Sequence, residues 1–450
     1  MLVIMDVIRQ KEERYVTLWT RDLAHIKRDG TIFALSMRMK MTRMKVMVYK
    51  MKIELVIKTF FLFTNKQNLM SEEVDDHHAF VHQSMLTCLG NKRKLVDHIM
   101  NIVWQLKGKI GATSLKVADP FAGSSVVARA LTSVSSHLYV NDYELYSYLM
   151  AKCFLNTPTP EMQEKIKVHI DNMNHIAENG PFIQGIISKL YAPKDTNNIE
   201  RGERCFYTRE NALIIDTLRE YIDKNITPEL QVYCLVPLLI KASIHTNTAG
   251  VFKGFYKDEN GVGCFGGRAR CALSRITQPI RLDMPVWTHK KLYSVCGLGD
   301  AATFIDDIDD DLDVIYLDPP YNQHPYGSNY FMLNVIAHNK EPHNISKVAG
   351  IPEDWQKSPY NQKSKASYKM QELLEICMSK TKYVVLSYND EGIITNKEWE
   401  HILAPYSHDR VEISYDTYKG SRNLRNRDNK VMERIYIIGH KGLETVQEAE

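Results

Sequence analysis

The chain has 450 residues, 44% hydrophobic and 25% charged, which fits a globular protein of two or three domains. Its formal net charge of +3 neither indicates nor excludes a nucleic-acid partner, because local basic patches are sufficient for such binding. No uncharged apolar run reaches about 18 residues, which excludes an ordinary membrane span, and the scattered cysteines without a CxxC pair predict reduced thiols in the cytoplasm and no metal site.

The first 70 residues differ from the rest of the chain, with 14 Lys and Arg against 6 Asp and Glu, and nine of the 19 methionines. Between residues 37 and 47 Met alternates with cations, a pattern typical of neither an amphipathic helix nor a strand. Met70, followed by Ser-Glu-Glu, looks like a natural start. We therefore predict that residues 1–69 are a basic extension, disordered or mis-assigned, that activity does not need. A basic arm that contacts nucleic acid is the alternative.

A helix is predicted from residue 95, because apolar residues recur at positions 95, 96, 99, 102 and 103. A basic turn that contains Gly90 and Lys92 lies just before it. Helix N-termini favour anions, so Lys92 is a candidate for binding a carboxylate or a phosphate. The alternative is a solvated turn.

A strand, a tight turn of small residues and a helix follow between residues 115 and 131. Asp119 ends the strand, and Gly123 lets the backbone approach a ligand closely. A second strand, at 138–140, leads to Asp142. An acid after the second strand is typical of the dinucleotide layout, where it binds ribose hydroxyls. The turn lacks a full GxGxxG, which argues against NAD, and a βαβ unit without a ligand is the alternative.

Residues 157–285 show largely helical patterns, including a predicted core helix at 230–245, and then become irregular. From residue 247 glycines, aromatic residues and cations are interleaved without an apolar period, and the cations include Lys253, Arg268 and Arg270. This composition favours a mobile surface that follows a phosphate backbone and stacks on bases. A plain solvated loop is the alternative.

The sheet is predicted to resume at residues 292–295, with Asp300 after the end of that strand. The run 314–317 is apolar on both faces and predicts a buried parallel strand. It leads into Asp318-Pro319-Pro320-Tyr321, which we call the hook. Proline has no N–H for the sheet and restricts the residue before it, so the hook leaves the strand as a stiff segment.

The hook suits one task, which is to hold the amino group of a flat aromatic ring. The Asp318 side chain and the Pro319 carbonyl can each accept one N–H, and Tyr321 can stack on the ring. An ordinary turn after a strand is the alternative. Further strands are predicted at 382–389, 410–415 and 431–438, and the loop before the last one contains the cations Arg422, Arg425 and Arg427.

Together these blocks resemble the D12-class (DPPY) DNA adenine-N6 methyltransferases over residues 82–440, especially members associated with type IIS restriction-modification systems. The resemblance implies an α/β fold: a Rossmann-like sheet of the S-adenosylmethionine-dependent methyltransferases with an inserted, mainly helical target-recognition domain. It divides the chain into five parts. These are the extension 1–69, the cofactor half 70–156, the recognition domain 157–285, the catalytic half 286–440 and the tail 441–450.

Roles follow by motif from the same resemblance. Lys92 would hold the methionine carboxylate of S-adenosylmethionine, Asp142 the ribose hydroxyls and Asp300 the cofactor's adenine amine. The turn Asp119, Pro120, Phe121 and Gly123 would wrap the methionine part, and the hook, including Pro320, would hold the target adenine. The expected DNA contacts are Lys253, Arg268, Arg270, Arg422, Arg425 and Arg427. The sequence departs from the family at Cys88-Leu89, where an aromatic residue is frequent, and at Ser125, where glycine is usual.

The implied activity is site-specific transfer of a methyl group to N6 of a flipped adenine in double-stranded DNA. A restriction-modification setting is implied, with a separately acting cognate endonuclease as a candidate partner, no membrane association, and a monomer in the cytoplasm near the nucleoid. N4-cytosine methylation needs the same hold on an amine, although serine is commoner there at the first hook position. RNA or protein amide methylation and an inactive DNA-binding module are further alternatives, and the intact Lys92, Asp119, Asp142 and Asp318 argue against the last.

Overall fold

The computed structural model of the chain describes residues 77–83, 86, 92–267, 272–416 and 430–443. The predicted extension 1–69 lies outside the described residues, and so do five of the predicted DNA contacts: Arg268, Arg270, Arg422, Arg425 and Arg427. The description below therefore concerns the unit that spans Asp76–Glu450.

A seven-stranded sheet forms the centre of the described part, in the order β3-β2-β1-β4-β5-β7-β6. Its strands are β1 Leu115–Asp119, β2 Ser135–Asp142, β3 Tyr293–Leu298, β4 Leu312–Leu317, β5 Thr381–Asn389, β6 Ser407–Asp416 and β7 Lys430–Gly439. The neighbouring strands from β3 to β5 pair in parallel, whereas β7 is antiparallel to both β5 and β6. Every strand that the apolar runs predicted is confirmed.

Helices connect these strands and cover both faces of the sheet. They are α1 Val96–Ile110, α2 Val126–Leu131, α3 Leu145–Leu155, α4 Pro160–Asn179, α5 Ile186–Leu190, α6 Arg209–Asn225, α7 Pro228–Ile244, α8 Leu273–Thr277, α9 Ala301–Asp306, α10 Tyr326–Asn329, α11 Phe331–His338, α12 Ala366–Lys380 and α13 Asn396–Leu403. Short 3₁₀ helices occur at Lys92–Lys94 and Pro359–Asn361. Among these helices, none is long and apolar enough to cross a membrane.

Strand β4 shows why the run 314–317 is apolar throughout. Val314 and Tyr316 point into the core on one face of the sheet, and Ile315 and Leu317 point into the core on the other. Successive strand residues face opposite sides, so a strand covered on both faces needs apolar residues at every position. The sheet is thus the middle layer of a three-layer α/β structure, which confirms the predicted fold class.

The segment between β2 and β3 is mainly helical, as the sequence predicts, and α7 corresponds to the core helix expected at 230–245. Its apolar residues, such as Ile166, Leu218 and Leu239, belong to the same core cluster as Val117 and Val314 of the sheet. The helical segment therefore shares one core with the sheet: α7 packs on α3 and α11, and α3 packs on β2 and β3. The boundary of a separate recognition domain at 157–285 stays a prediction.

One expectation about this segment is wrong. The aromatic residues near 250 were expected to stack on bases, but Phe252 is 2% exposed and Phe255 is 9% exposed. Their rings lie 6.1 and 5.3 Å from that of Phe206, and Phe252 also contacts Phe331 after the hook. Burial in this aromatic cluster stabilises the loop from inside, because aromatic side chains contribute large apolar areas.

Candidate active site

A cleft opens at the carboxyl ends of β1 and β4, where the strand order reverses direction. It encloses about 970 Å³ of space between protein atoms, part of it open solvent. In open α/β sheets ligands bind at this switch point. All seven predicted cofactor residues line the cleft: Lys92, Asp119, Pro120, Phe121, Gly123, Asp142 and Asp300. Asp318 and Pro320 of the hook line it as well, so the structure brings the two predicted groups together.

The turn after β1 is held by hydrogen bonds to both neighbouring segments. The Gly123 N–H donates to Asp142 Oδ2 at 2.7 Å, and the Phe121 N–H donates to Asp119 Oδ1 at 3.3 Å. Gly123 has a φ of 52°, a left-handed conformation that favours glycine. A Cβ added there would have no atom within 4 Å, so this part of the turn faces open space in the cleft. The turn therefore presents backbone rather than side chains to a ligand.

Asn141 ties three strand ends together beneath the cleft. Its side-chain amide donates to the Pro120 carbonyl at 3.2 Å and to the Gly299 carbonyl at 3.0 Å. These carbonyls follow β1 and β3, whereas Asn141 itself belongs to β2. The amide is almost fully buried, at 2% exposure. The relative position of the three tips is thus fixed by one side chain.

Two acids follow these tips. Asp142 Oδ1 accepts the Glu144 N–H at 2.9 Å, and burial raises the pKa of Asp142 to about 6 although backbone N–H groups oppose the shift. Asp300 caps α9, with Oδ1 accepting the N–H groups of Ala302 and Thr303 at 3.0 and 3.1 Å. Asp300 Oδ2 has no hydrogen bond within the described part of the chain, which leaves it available to a ligand amine.

The hook leaves β4 as the sequence predicts. Asp318 is partly exposed to the cleft, and Pro319 is buried. The Tyr321 ring lies edge-on to Tyr388 at 6.5 Å, and the Ile393 N–H donates to the Tyr321 carbonyl at 2.8 Å. Among the described residues no N–H donates to the Pro319 carbonyl. The hook is therefore fastened at its far end. Of its two expected acceptors Asp318 lines the cleft, whereas Pro319, like Tyr321, is not part of the cleft lining.

Lys92 lies between two carboxylates. Its Nζ is 2.6 Å from Asp318 Oδ1 and 3.3 Å from Glu433 Oε1, and the lysine is only 5% exposed. Burial alone would lower the pKa of Lys92, but Asp318 and Glu433 outweigh it and hold that pKa well above its usual range. The expected partner, a methionine carboxylate, stays a prediction, whereas the contact with Asp318 was not expected.

The electrostatics of the cleft favour a cationic ligand. Five acids line it beside Lys92: Asp119, Asp142, Glu144, Asp300 and Asp318. Burial and then the neighbouring Asp318 raise the pKa of Asp119 well above its usual range. Burial raises the pKa of Asp318 to about 6, against the opposing effect of Lys92. A positive charge placed among these carboxylates would restore their ionisation.

The donor set fits S-adenosylmethionine, which contains a sulfonium, an ammonium, a carboxylate and an adenine. The carboxylates match the two cations, and the exposed backbone at Gly123 leaves room for a ligand. In addition, the Asn361 side chain lines the cleft, and its buried Oδ1 has no hydrogen-bond partner within the described ranges. Such an orphaned acceptor is usually satisfied by a ligand or by water.

Sequence reasoning missed several residues of this site. Glu144 and Tyr326 line the cleft, and so does the loop that carries Gln356, Ser358 and Asn361. The loop has no periodic signal by which it could be recognised. Glu433 did have one: in β7 it occupies the same face as Val431 and Ile435, and an acid at a core-facing position is unusual.

Lys253 is the predicted DNA contact that the structure describes. It is exposed, in a loop whose Phe252 N–H donates to the Asn329 carbonyl at 2.7 Å, just after the hook. Arg422, Arg425 and Arg427 lie outside the described residues. Strand β7, which follows them in the sequence, begins at the edge of the sheet where β5 ends, because Asn389 of β5 pairs with Glu433 of β7. That edge also bears the hook.

The fold and the cleft define an α/β protein with a candidate ligand site at the switch point of its sheet, beside a stiff acidic hook. The profile of the family described as D12 class N6 adenine-specific DNA methyltransferase matches residues 89–262 and 285–402. These ranges make up more than half of the chain, and the chain belongs to this family. The expected family is thereby confirmed.

Individual relatives agree. The type II methyltransferase M.CviAII of Paramecium bursaria Chlorella virus 1 is 26% identical over 321 residues, which cover 71% of this chain and 87% of the relative. The modification methylase StsI of Streptococcus sanguinis is 27% identical over 372 residues, 78% of this chain but only 52% of that protein. A crystal structure of the Thermoplasma acidophilum protein 1320 superimposes with a TM-score of 0.30 at 5% identity, over 76% of this chain and 88% of the other, a similarity too low to support a conclusion.

Proposed function

We propose that the chain is a site-specific DNA adenine methyltransferase that uses S-adenosylmethionine to methylate N6 of a flipped adenine in double-stranded DNA. The observation that supports this most directly is the position of Asp318, which lines the same cleft as the Asp119–Gly123 turn. A donor of methyl groups and an acceptor amine would thus meet at one switch point of the sheet. The names of the relatives, a type II methyltransferase and a modification methylase, support a restriction-modification setting.

The residues of the cleft would bind the cofactor as follows. Asp142 takes the ribose hydroxyls, Asp300 Oδ2 accepts from the adenine amine, and the turn from Asp119 to Gly123 wraps the methionine part. Lys92 is within the same lining and is the candidate for the methionine carboxylate. When bound, S-adenosylmethionine supplies an electrophilic methyl group on a sulfonium, and the acids of the cleft compensate its positive charge.

The hook would hold the second substrate. Asp318 and the Pro319 carbonyl accept the two N–H bonds of the adenine amine, which turns the nitrogen lone pair out of the ring and toward the methyl group. Orientation of this kind contributes several kcal/mol to many bimolecular reactions. Tyr321 stacks on the ring and offsets part of the cost of flipping. As the amine takes the methyl group, the methyl–sulfur bond would break and leave a neutral thioether, and the amine would lose one proton. Asp318 would accept that proton.

The first test replaces the carboxylate. We expect Asp318→Ala to reduce methyl transfer by at least about 10³-fold, because it removes one acceptor for the amine, while S-adenosylmethionine still binds within about threefold. Tritium transfer from the labelled cofactor to unmethylated DNA measures the first quantity and calorimetry the second. Asp313→Ala, an acid at the opposite end of β4 that pairs with Lys382, serves as the control. Normal turnover of Asp318→Ala would contradict the assignment.

The product distinguishes the neighbouring activities. Mass analysis of nucleosides from the methylated DNA should show N6-methyladenine, whereas N4-methylcytosine would indicate the alternative base. Failure of the wild-type chain to transfer methyl groups to any DNA would favour a binding module without catalysis. We further propose that Lys253, Arg268, Arg270, Arg422, Arg425 and Arg427 contact the DNA phosphates, and that the protein acts on DNA in the cytoplasm as a monomer, beside a separate endonuclease.

A further inference from the structure

A buried network of three charged side chains connects the hook to β7. Lys92 Nζ contacts Asp318 Oδ1 at 2.6 Å and Glu433 Oε1 at 3.3 Å. The exposed fractions are 5% for Lys92, 18% for Asp318 and 1% for Glu433. Glu433 Oε2 also accepts from the Asn389 side chain at 3.4 Å. Glu433 does not line the cleft, so it reaches the reacting groups through Lys92.

Packing does not account for an acid at this position. Along β7 the buried residues Val431, Ile435 and Ile437 share a face with Glu433, and an apolar side chain would be the ordinary choice there. Removing a carboxylate from water is unfavourable unless it is paired. Its partner in the network is Lys92, which also contacts the hook, and this connects Glu433 to the chemistry of Asp318.

We propose that Glu433 is a positioning residue for methyl transfer: it contacts the same Lys92 ammonium as the hook and thereby keeps that ammonium beside Asp318. This inference rests on the proposed function of the hook. Lys92 fixes the orientation of Asp318 through its short hydrogen bond to Oδ1, which leaves Oδ2 for the adenine amine. Glu433 also balances part of the lysine charge, so that Asp318 keeps its ability to accept the proton released by the amine.

The pH dependence of the rate reports on this network. Lys92 lowers the pKa of Asp318 and Glu433 raises it, while burial is the largest influence. Other ionisable groups surround Asp318 on the neighbouring strands and on the helix after the hook: Asp119, Asp142, Tyr316 and Tyr326. Asp318 must be ionised to accept the amine N–H. The rate therefore falls as the pH drops through the pKa of Asp318, and we call this fall the acid limb of the pH–rate profile. Loss of Glu433 therefore moves this acid limb to lower pH, and loss of Lys92 moves it to higher pH.

The decisive variant is Glu433→Gln, which removes the charge and keeps the shape. Single-turnover tritium transfer from S-adenosylmethionine to unmethylated DNA is measured between about pH 5 and pH 9. We expect the acid limb to move down by about half a pH unit and the plateau rate to fall about tenfold. The KM for S-adenosylmethionine should stay within about twofold, because Glu433 does not line the cleft.

Two further variants define the origin of the shift. Glu412→Gln is the matched control. Glu412 lies on β6 opposite Arg434, the residue that follows Glu433 in β7, and forms an ion pair with Arg434 at 3.2 Å on the surface. This control variant should leave the acid limb in place. Lys92→Met should move the limb upward by about one pH unit, and its rate loss should not add to that of Glu433→Gln, because the two residues act as a unit.

The outcomes separate this inference from the proposed function. A wild-type chain that methylates no adenine contradicts the proposed function. A wild-type chain that does so, with a folded Glu433→Gln variant whose acid limb is unmoved, overturns the role of Glu433, even if its rate is lower at every pH. Should Glu433→Gln fail to fold, Glu433→Asp takes its place, because it moves the carboxylate away from Lys92 by one methylene group. The acid limb should then shift in the same direction by a smaller amount. An unmoved acid limb in Glu433→Asp would also overturn the inference.

Discussion

Ser125 is a single residue at which the chain departs from the family pattern. It precedes α2 with a φ of 61°, a left-handed conformation that is rare outside glycine. The conformation costs an L-residue about 1–2 kcal/mol. Its hydroxyl is also buried and has no hydrogen-bond partner in the part of the chain that the structure describes. The usual glycine of related enzymes would avoid both penalties.

We therefore expect Ser125→Gly to stabilise the protein. Relief of the left-handed conformation outweighs the extra entropy that glycine gives to the unfolded chain, by roughly 0.5–1 kcal/mol. The melting temperature measured by calorimetry should rise by about 1–2 °C. Ser124→Gly, one position earlier and without a positive φ, should instead lower it. A lower melting temperature for Ser125→Gly would show that the hydroxyl has a partner that stabilises the turn.

The sequence predicted the chemical groups of the site better than their contacts. Asp119, Asp142 and Asp318 were recognisable because each follows a short apolar run that ends at the same edge of the sheet. The pair of Lys92 and Asp318 was not, because the two residues are 226 positions apart and no local pattern encodes such a contact. Glu433 could have been found from the alternation of β7, but only once its inward face was known.

At the scale of elements, the parallel strands were predictable because each is a short, mostly apolar run with polar residues near its end. The loop after α7 was not, because its aromatic residues are buried against Phe206 and Phe331, which come from elsewhere in the chain. Composition alone could not distinguish rings that face a nucleic acid from rings that face a core. At the tips of β1 and β2, burial raises the pKa of both Asp119 and Asp142.

This predicts a specific pH dependence of cofactor binding. A cationic sulfonium is bound best by ionised carboxylates. The affinity for S-adenosylmethionine should therefore fall as the pH drops through about 6, the pKa to which burial raises Asp142, and that carboxylate takes up a proton. S-adenosylhomocysteine has a neutral thioether, so its affinity should fall less over the same pH range. Calorimetric titration of both ligands at several pH values tests this. Equal losses for the two ligands would show that the carboxylates do not respond to the sulfonium charge.

On the scale of the whole molecule, one compact unit extends from Asp76 to the end of the chain. Within the described ranges its core starts at Phe80, which the buried Arg129 contacts through its guanidinium. The helical segment and the sheet share that core, so the two parts are packed as one unit. Residues 1–69, the predicted basic extension, lie outside the described residues.

We accordingly expect a chain that starts at Met70 to retain the transfer of methyl groups to DNA. Its melting temperature should lie within about 2 °C of that of the full chain, since it keeps the unit from Asp76 onward. Its tritium transfer to DNA should stay within about threefold at low ionic strength. Salt titrations of DNA binding for both chains provide the comparison. A much smaller salt slope for the shorter chain would identify residues 1–69 as a basic arm on the DNA.

The position of β7 has a consequence for the making of the protein. It is the last strand in the described part of the chain, yet it lies inside the sheet, between β5 and β6. A ribosome releases β5 and β6 first, so the nascent chain exposes the bare edge of β5 until residue 439 has emerged. A message truncated before residue 433 would yield a chain without Glu433 and with an open strand edge. Such a product would be inactive and prone to aggregation, so the cell obtains methylation from completed chains alone.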